Sequence, residues 1–346
     1  GGGLGRTPIL GSIIREHLEW EHVLTYCEAI IRVYNLHGRR DNIYKARIKI
    51  LAKALGIEEF KKQVEAEWHH LKNSPNTIDE SELKRIAKFF TAMPYEKLND
   101  QDDTYDEAIQ NNKAFASWAK RSVHLHKQKG YRAITLSLKP HGLAPGDATS
   151  DQMRIVAELA EQYSFGELRV SHEQNLILAD VKLQDIFKVW EKAKAHQLAT
   201  PNIGLLTDII CCPGGDFCSL ANAKSIPIAT SIQEAFDNLD YLHDIGELEL
   251  NISGCMNACG HHHIGHIGVL GVDKDGSEWY QVTIGGKQGN DASLGSVIGP
   301  SFAAEEMPGV IKKLIDVYIK HRNPEERFID TVRRLGVNPF KEHVYA

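Results

Sequence analysis

The sequence predicts an α+β protein of more than one domain, on three observations. Helical periodicity fills residues 1–72, strands and helices alternate beyond residue 130, and 346 residues exceed what one core of about 100–200 residues uses. From Glu21 to Leu36, apolar side chains at Val23, Tyr26, Cys27, Ile30, Ile31 and Tyr34 keep the spacing of an amphipathic helix that Gly38 ends. That spacing puts Cys27 on the buried stripe as a small core hydrophobe. A second helix through Tyr44, Ile48, Leu51 and Leu55 stops at Gly56, and a third carries Phe60, Val64, Trp68 and Leu71. Residues 73–112, with Pro75, Pro94 and one short helical pattern from Leu83 to Phe90, read as a connection.

Residues 113–200 then give a strand from Arg132 to Leu138 and a helix from Gln152 to Tyr163, begun by Thr149, Ser150 or Asp151. Strands Leu168 to Ser171 and Leu176 to Val181 follow, and then a helix to Ala195. This βαββα order suggests a ferredoxin-like unit with helices on one sheet face. In residues 201–346, strands at Leu248 to Ile252, Ile267 to Val272 and Tyr280 to Ile284 precede a helix through Val310, Leu314 and Tyr318. A polar tail containing Gly336 and Pro339 closes this third, α/β, region. The Gly1, Gly2, Gly3, Leu4, Gly5 run lacks both dinucleotide-fingerprint and P-loop spacing and reads as a tight turn.

Composition excludes several classes. A net charge of −6 offers no basic stripe for nucleic acid. No apolar run approaches the roughly 18 residues of a membrane span, so a soluble chain is expected. With 42% hydrophobic and 25% charged residues, the chain is ordinary globular material rather than a disulfide-dense secreted scaffold.

Five of the six cysteines fall between Cys211 and Cys259, a local site rather than a framework. Cys212 and Cys218 form a C-x5-C pair, and Cys255 and Cys259 a C-x3-C pair. Four soft thiolates on two loops suit an iron–sulfur cubane or a zinc ion, with free buried thiols as the remaining reading. Neither pair has the C-x2-C knuckle common in zinc sites. Gly214, Gly215, Gly254 and Gly260 would let backbone N–H groups approach cluster sulfides. Cys211, beside Cys212 on extended backbone, points the other way and is expected to be no ligand. His261, His262, His263 and His266 follow; they suit a metal ligand, a heme contact, a proton donor, or polar packing at a cofactor edge.

Cys212-x5-Cys218 with Ala221, followed by Asn251-Ile-Ser-Gly-Cys255-Met-Asn257-Ala-Cys259-Gly260, resembles the siroheme and 4Fe-4S signature of the nitrite/sulfite reductase family. The likeness extends to Gly1 through Pro8, similar to the loop after the family's siroheme-binding core. It also takes in Gly130 to Val181, similar to its second half-ferredoxin repeat, and the ending Pro339 to Tyr345. The resemblance implies the C-terminal part of that fold: residues 1–72 from a siroheme-binding domain, 113–200 a ferredoxin-like half-domain, and 201–346 a 4Fe-4S/siroheme domain. It implies that Cys212, Cys218, Cys255 and Cys259 hold the cluster, that Asn257 and Cys259 meet siroheme, and that Cys259 bridges the two irons.

The implied activity is reduction of sulfite to sulfide, with nitrite reduction to ammonia as the alternative. Electrons would come from a ferredoxin or a separate flavoprotein, because no flavin or nicotinamide fingerprint is visible. The Cys-Gly-His-His-His-Ile-Gly-His form of the motif resembles a bacterial assimilatory branch linked with sulfur, which leans toward sulfite. The family's anion-gripping Arg and Lys lie upstream of the Gly1 loop, so the chain is expected to be a fragment without its substrate-binding residues. Oxygen-sensitive thiolate chemistry suggests the cytoplasm.

Overall fold

A computed structural model describes all 346 residues, which divide into two compact units, Gly1–Pro94 and Tyr95–Ala346. The first unit is helical: α1 (Val23–His37), α2 (Ile48–Leu55), α3 (Ile57–Leu71) and α4 (Glu80–Ala87). Its core joins Tyr26, Ala29 and Val33 of α1 to Phe60, Val64, Trp68 and Leu71 of α3. The Trp68 indole N–H donates to Thr25 Oγ1 at 3.0 Å, and Arg15 lies over the same ring while pairing with Glu65. Cys27 is exposed, against expectation. Apolar residues cover more than one face of α1, and the face that meets α3 is the one bearing Tyr26, Ala29 and Val33; Cys27 and Ile31 fall off it. Tyr44 stands outside α2 and is exposed. The glycine-rich start closes by an antiparallel bridge from Gly3 to Ile9, and the Lys49 ammonium donates to the carbonyls of Leu4 and Thr7.

The second unit opens with α5 (Asp103–Asn111) and α6 (Lys113–Ser122). Residues 73–112, expected to be a connection, thus carry α4 and α5, each started by an aspartate whose side chain accepts a first-turn N–H: Asp79 and Asp102. Aspartates common in loops here serve as helix caps. An antiparallel sheet follows, ordered β1-β2-β4-β3, from β1 (Val123–Leu125), β2 (Tyr131–Leu136), β3 (Arg169–Val170) and β4 (Leu176–Lys182). Helices α7 (Ser150–Tyr163) and α8 (Ile186–Ala195) contribute Val156, Leu159, Ile186, Val189 and Trp190 to one core with Ile134, Leu136 and Leu178. A capping box between Thr149 and Gln152 starts α7.

The second sheet, ordered β5-β6-β7-β8-β9, contains β5 (Ile210–Cys211), β6 (Leu250–Ser253), β7 (Ile267–Lys274), β8 (Ser277–Ile284) and β9 (Ser296–Val297). Strands β5, β6 and β7 run parallel and β7, β8 and β9 antiparallel. Between β5 and β6 lie α9 (Gly214–Phe217), α10 (Ile226–Ala235) and α11 (Leu239–Ile245). The chain ends in α12 (Met307–His321), α13 (Phe328–Leu335) and α14 (Asn338–Tyr345), so the expected polar tail is two helices. They bury Phe328, Val332, Phe340 and Val344 in the core of the second sheet. Their apolar stripes are only a few residues long, interleaved with charges, and Pro339 starts α14 rather than breaking it. No helix is long and apolar enough to cross a membrane.

Candidate metal centre

The two cysteine pairs sit at the carboxyl ends of β5 and β6, the side of a parallel sheet where crevices form. Cys212 directly follows β5, and its N–H donates to Ile252 O of β6 at 3.1 Å. Cys218 caps the one-turn helix α9, donating its N–H to Gly214 O at 2.9 Å. Cys255 and Cys259 lie on the loop leaving β6. The two loops are stitched together: the N–H groups of Asn222 and Ala223 both donate to Gly254 O, at 2.8 and 3.0 Å.

Bare backbone makes this approach possible. A Cβ on Gly254 would lie 2.5 Å from Ala223 O, and one on Gly260 would lie 1.9 Å from Ile252 O. The Gly254 N–H donates to Cys212 Sγ at 3.1 Å, and Ser225 Oγ lies 3.4 Å from the same sulfur. Such amide donors stabilise a thiolate's negative charge. Ala258, buried between the second pair, takes a left-handed φ of 59°, as does His261 at 54°. Non-glycine residues hold that conformation where their surroundings over-determine it, a pattern common at functional loops.

No cysteine is in a disulfide; Cys212 and Cys255 are buried, Cys218 half-buried and Cys259 exposed. Burial raises the Cys259 thiol above its ordinary pKa, and the neighbouring sulfurs of Cys212, Cys255 and Cys218 add to the rise. No three His, Cys, Asp or Glu side chains are close enough to share one metal ion. A tetrahedral zinc draws its donors to about 2.0–2.3 Å from a single point. A cubane takes one thiolate on each of four corners, and the two stitched loops offer four. Cys211 is buried in the core of the second sheet, its thiol pushed up by burial and donating to Cys212 O at 3.2 Å.

The histidines divide. His262 and His263 lie with ring centroids 3.9 Å apart and planes tilted by 43°, and His262 is buried and held far below the usual imidazole pKa, at about 3, chiefly by desolvation. His266 turns instead to β6, its Nδ1 accepting the Glu249 N–H at 3.2 Å. His261 and Asn257 are exposed. Sequence reasoning missed Ser225 and Gln174, both of which contact the Cys211–Cys212 segment. Neither sits in a motif; only the fold brings them there.

The family model described as nitrite and sulphite reductase 4Fe-4S domain matches residues 1–72 and 205–346, and the nitrite/sulfite reductase ferredoxin-like half domain matches residues 124–196. The chain belongs to the nitrite/sulfite reductase family, whose members carry siroheme and a 4Fe-4S cluster. Among its relatives is the assimilatory ferredoxin-dependent nitrite reductase of Haloferax mediterranei, 26% identical over 99% of this chain and 55% of that protein. A sulfite reductase (ferredoxin) 2 of Mycolicibacterium paratuberculosis is 24% identical over 96% of this chain and 55% of that protein. The solved NirA protein of Mycobacterium tuberculosis shares the fold with a TM-score of 0.70 at 22% identity, over 98% of this chain and 57% of that one. The chain spans about half the length of the curated relatives it matches.

Proposed function

We propose that this chain is the cluster-bearing part of a siroheme- and 4Fe-4S-dependent reductase that takes sulfite to sulfide with six electrons. The observation that carries the reading is that Cys212, Cys218, Cys255 and Cys259 lie on two loops at the ends of parallel strands β5 and β6, loops joined by the Asn222 and Ala223 N–H groups on Gly254 O and the Gly254 N–H on Cys212 Sγ. In this role Cys212, Cys218, Cys255 and Cys259 would hold the cluster, and exposed Cys259, with Asn257, would also meet siroheme. The coupled cofactors supply the electron storage that a multi-electron reduction at one bound atom needs. The protein's own part is to fix the sulfurs, donate N–H groups to them and keep water from the buried pair.

Nitrite reduction to ammonia is the second reading, favoured by relatives named ferredoxin–nitrite reductase. The Cys259-Gly-His-His-His-Ile-Gly-His266 run favours sulfite. Reduced ferredoxin or a separate flavoprotein is the donor, in a reducing compartment such as the cytoplasm. Turnover of each anion by the intact protein, driven by reduced methyl viologen, decides between them. A kcat/KM for sulfite above that for nitrite supports the sulfite reading, and the reverse order overturns it.

A further inference from the structure

The strand that delivers Cys212 is two residues long and lies at the edge of its sheet. On one side Ile210 and Cys211 pair with Asn251 and Ile252 of β6; on the other side no strand follows. An edge this short has few ladder bonds with which to hold itself. One side chain closes the vacant side. Gln174 Oε1 accepts the Cys211 N–H at 2.8 Å, and Gln174 Nε2 donates to Cys211 O at 2.8 Å. The primary amide offers donor and acceptor together, as a neighbouring strand's backbone would.

Gln174 is itself held in place. It takes a left-handed φ of 59° in the turn between β3 and β4, donating its N–H to Ser171 O at 3.2 Å, while Ser171 donates to Asn175 O at 2.9 Å. Gly146 gives it room, for a Cβ there would stand 3.1 Å from Gln174 Cβ. The next residue grips the same incoming chain: Asn175 Nδ2 donates to Asp208 Oδ1 at 3.0 Å, on the carboxylate that also pairs with buried Lys139. The tip of one hairpin in the ferredoxin-like half-domain thus holds the approach to Cys212 at two points.

Given the iron–sulfur reading of the four cysteines, we propose that Gln174 is a positioning residue for the cluster, fixing the Cys212 sulfur by closing the free edge of β5. The half-domain would then set the geometry of a ligand it does not itself carry.

The test uses the intact protein purified without oxygen, with Gln174→Ala, Gln174→Glu, Ser171→Ala and Cys255→Ser compared to wild type. Gln174→Ala removes both bonds to Cys211. Gln174→Glu, when ionised, keeps the acceptor but loses the donor, setting a carboxylate oxygen against Cys211 O. Ser171→Ala weakens the same turn without touching Cys211. The readouts are iron per chain, the EPR signal of the reduced cluster, the rate of bleaching by a chelator, and the thermal midpoint.

We expect Gln174→Ala to bleach roughly tenfold faster, as befits two lost hydrogen bonds, and both Gln174 variants to shift the EPR signal. Ser171→Ala should lower the thermal midpoint while the cluster signal stays as in wild type. An unchanged signal and bleaching rate in Gln174→Ala would overturn the positioning role. So would cluster changes in Ser171→Ala matching those in Gln174→Ala, because the effect would then follow hairpin stability alone. If wild type holds no cluster, or Cys255→Ser holds as much as wild type, the cluster reading itself fails, independently of Gln174.

Discussion

The inner and outer cysteines of the site are held by different means. Cys212 and Cys255 are buried, and the first of them is tied into the sheet through Ile252 O and Gly254 N–H. Cys218 and Cys259 sit on turns, one capping the single-turn helix α9 and the other following left-handed Ala258, and both reach solvent. Sheet backbone therefore sets where the Cys212 sulfur lies, and loop and turn geometry sets the other three. Buried thiolates exclude water and competing chemistry, whereas an exposed thiolate can be shared with a second group.

The largest effects should separate the pairs. Cys212→Ser and Cys255→Ser should lose nearly all cluster iron, whereas Cys218→Ser should retain a measurable fraction that bleaches faster. Cys259→Ser should keep cluster iron yet lose turnover. Cys211→Ser should keep both iron and turnover. Iron analysis and methyl-viologen assays check these outcomes, and equal iron loss in all four ligand variants would erase the distinction between inner and outer cysteines.

A smaller effect concerns the strand that supports the inner pair. His266, buried at the start of β7, accepts the N–H of Glu249 just before β6. Burial foremost, then Arg327, Lys287 and Arg333, lower its pKa from 6.5 to about 4, with Asp330 opposing them. The folded protein thus resists a proton that the unfolded chain accepts. This group's contribution is fully present above about pH 6.5 and is lost as pH falls from there through about 4. The drop is roughly 3 kcal/mol. Urea titrations across that range should show it, and His266→Gln should flatten this part of the profile.

Much of the fold was legible because its signals are local. The α7 start is written in Thr149 and Gln152, whose capping box needs no distant partner. The four cysteines were legible for the same reason: two short spacings and glycines that leave room for close backbone. What stayed hidden depends on tertiary context. Cys27 satisfied the helical period and still faces outward, because the packing of α1 on α3 chose a different stripe. β5, at two residues, is too short for any period to reveal, and Gln174 meets it from 37 residues away. The final helices escaped because Gly336 and Pro339, which cap and start them, also mark loops.

The most direct test of the central claim is the metal content and reduced-state EPR of the intact protein, made without oxygen, beside its Cys255→Ser variant. The iron–sulfur reading predicts four irons and four sulfides per chain with a cubane signal, and their loss in Cys255→Ser. Stoichiometric zinc without visible absorbance, unchanged by iron supplementation, would contradict it.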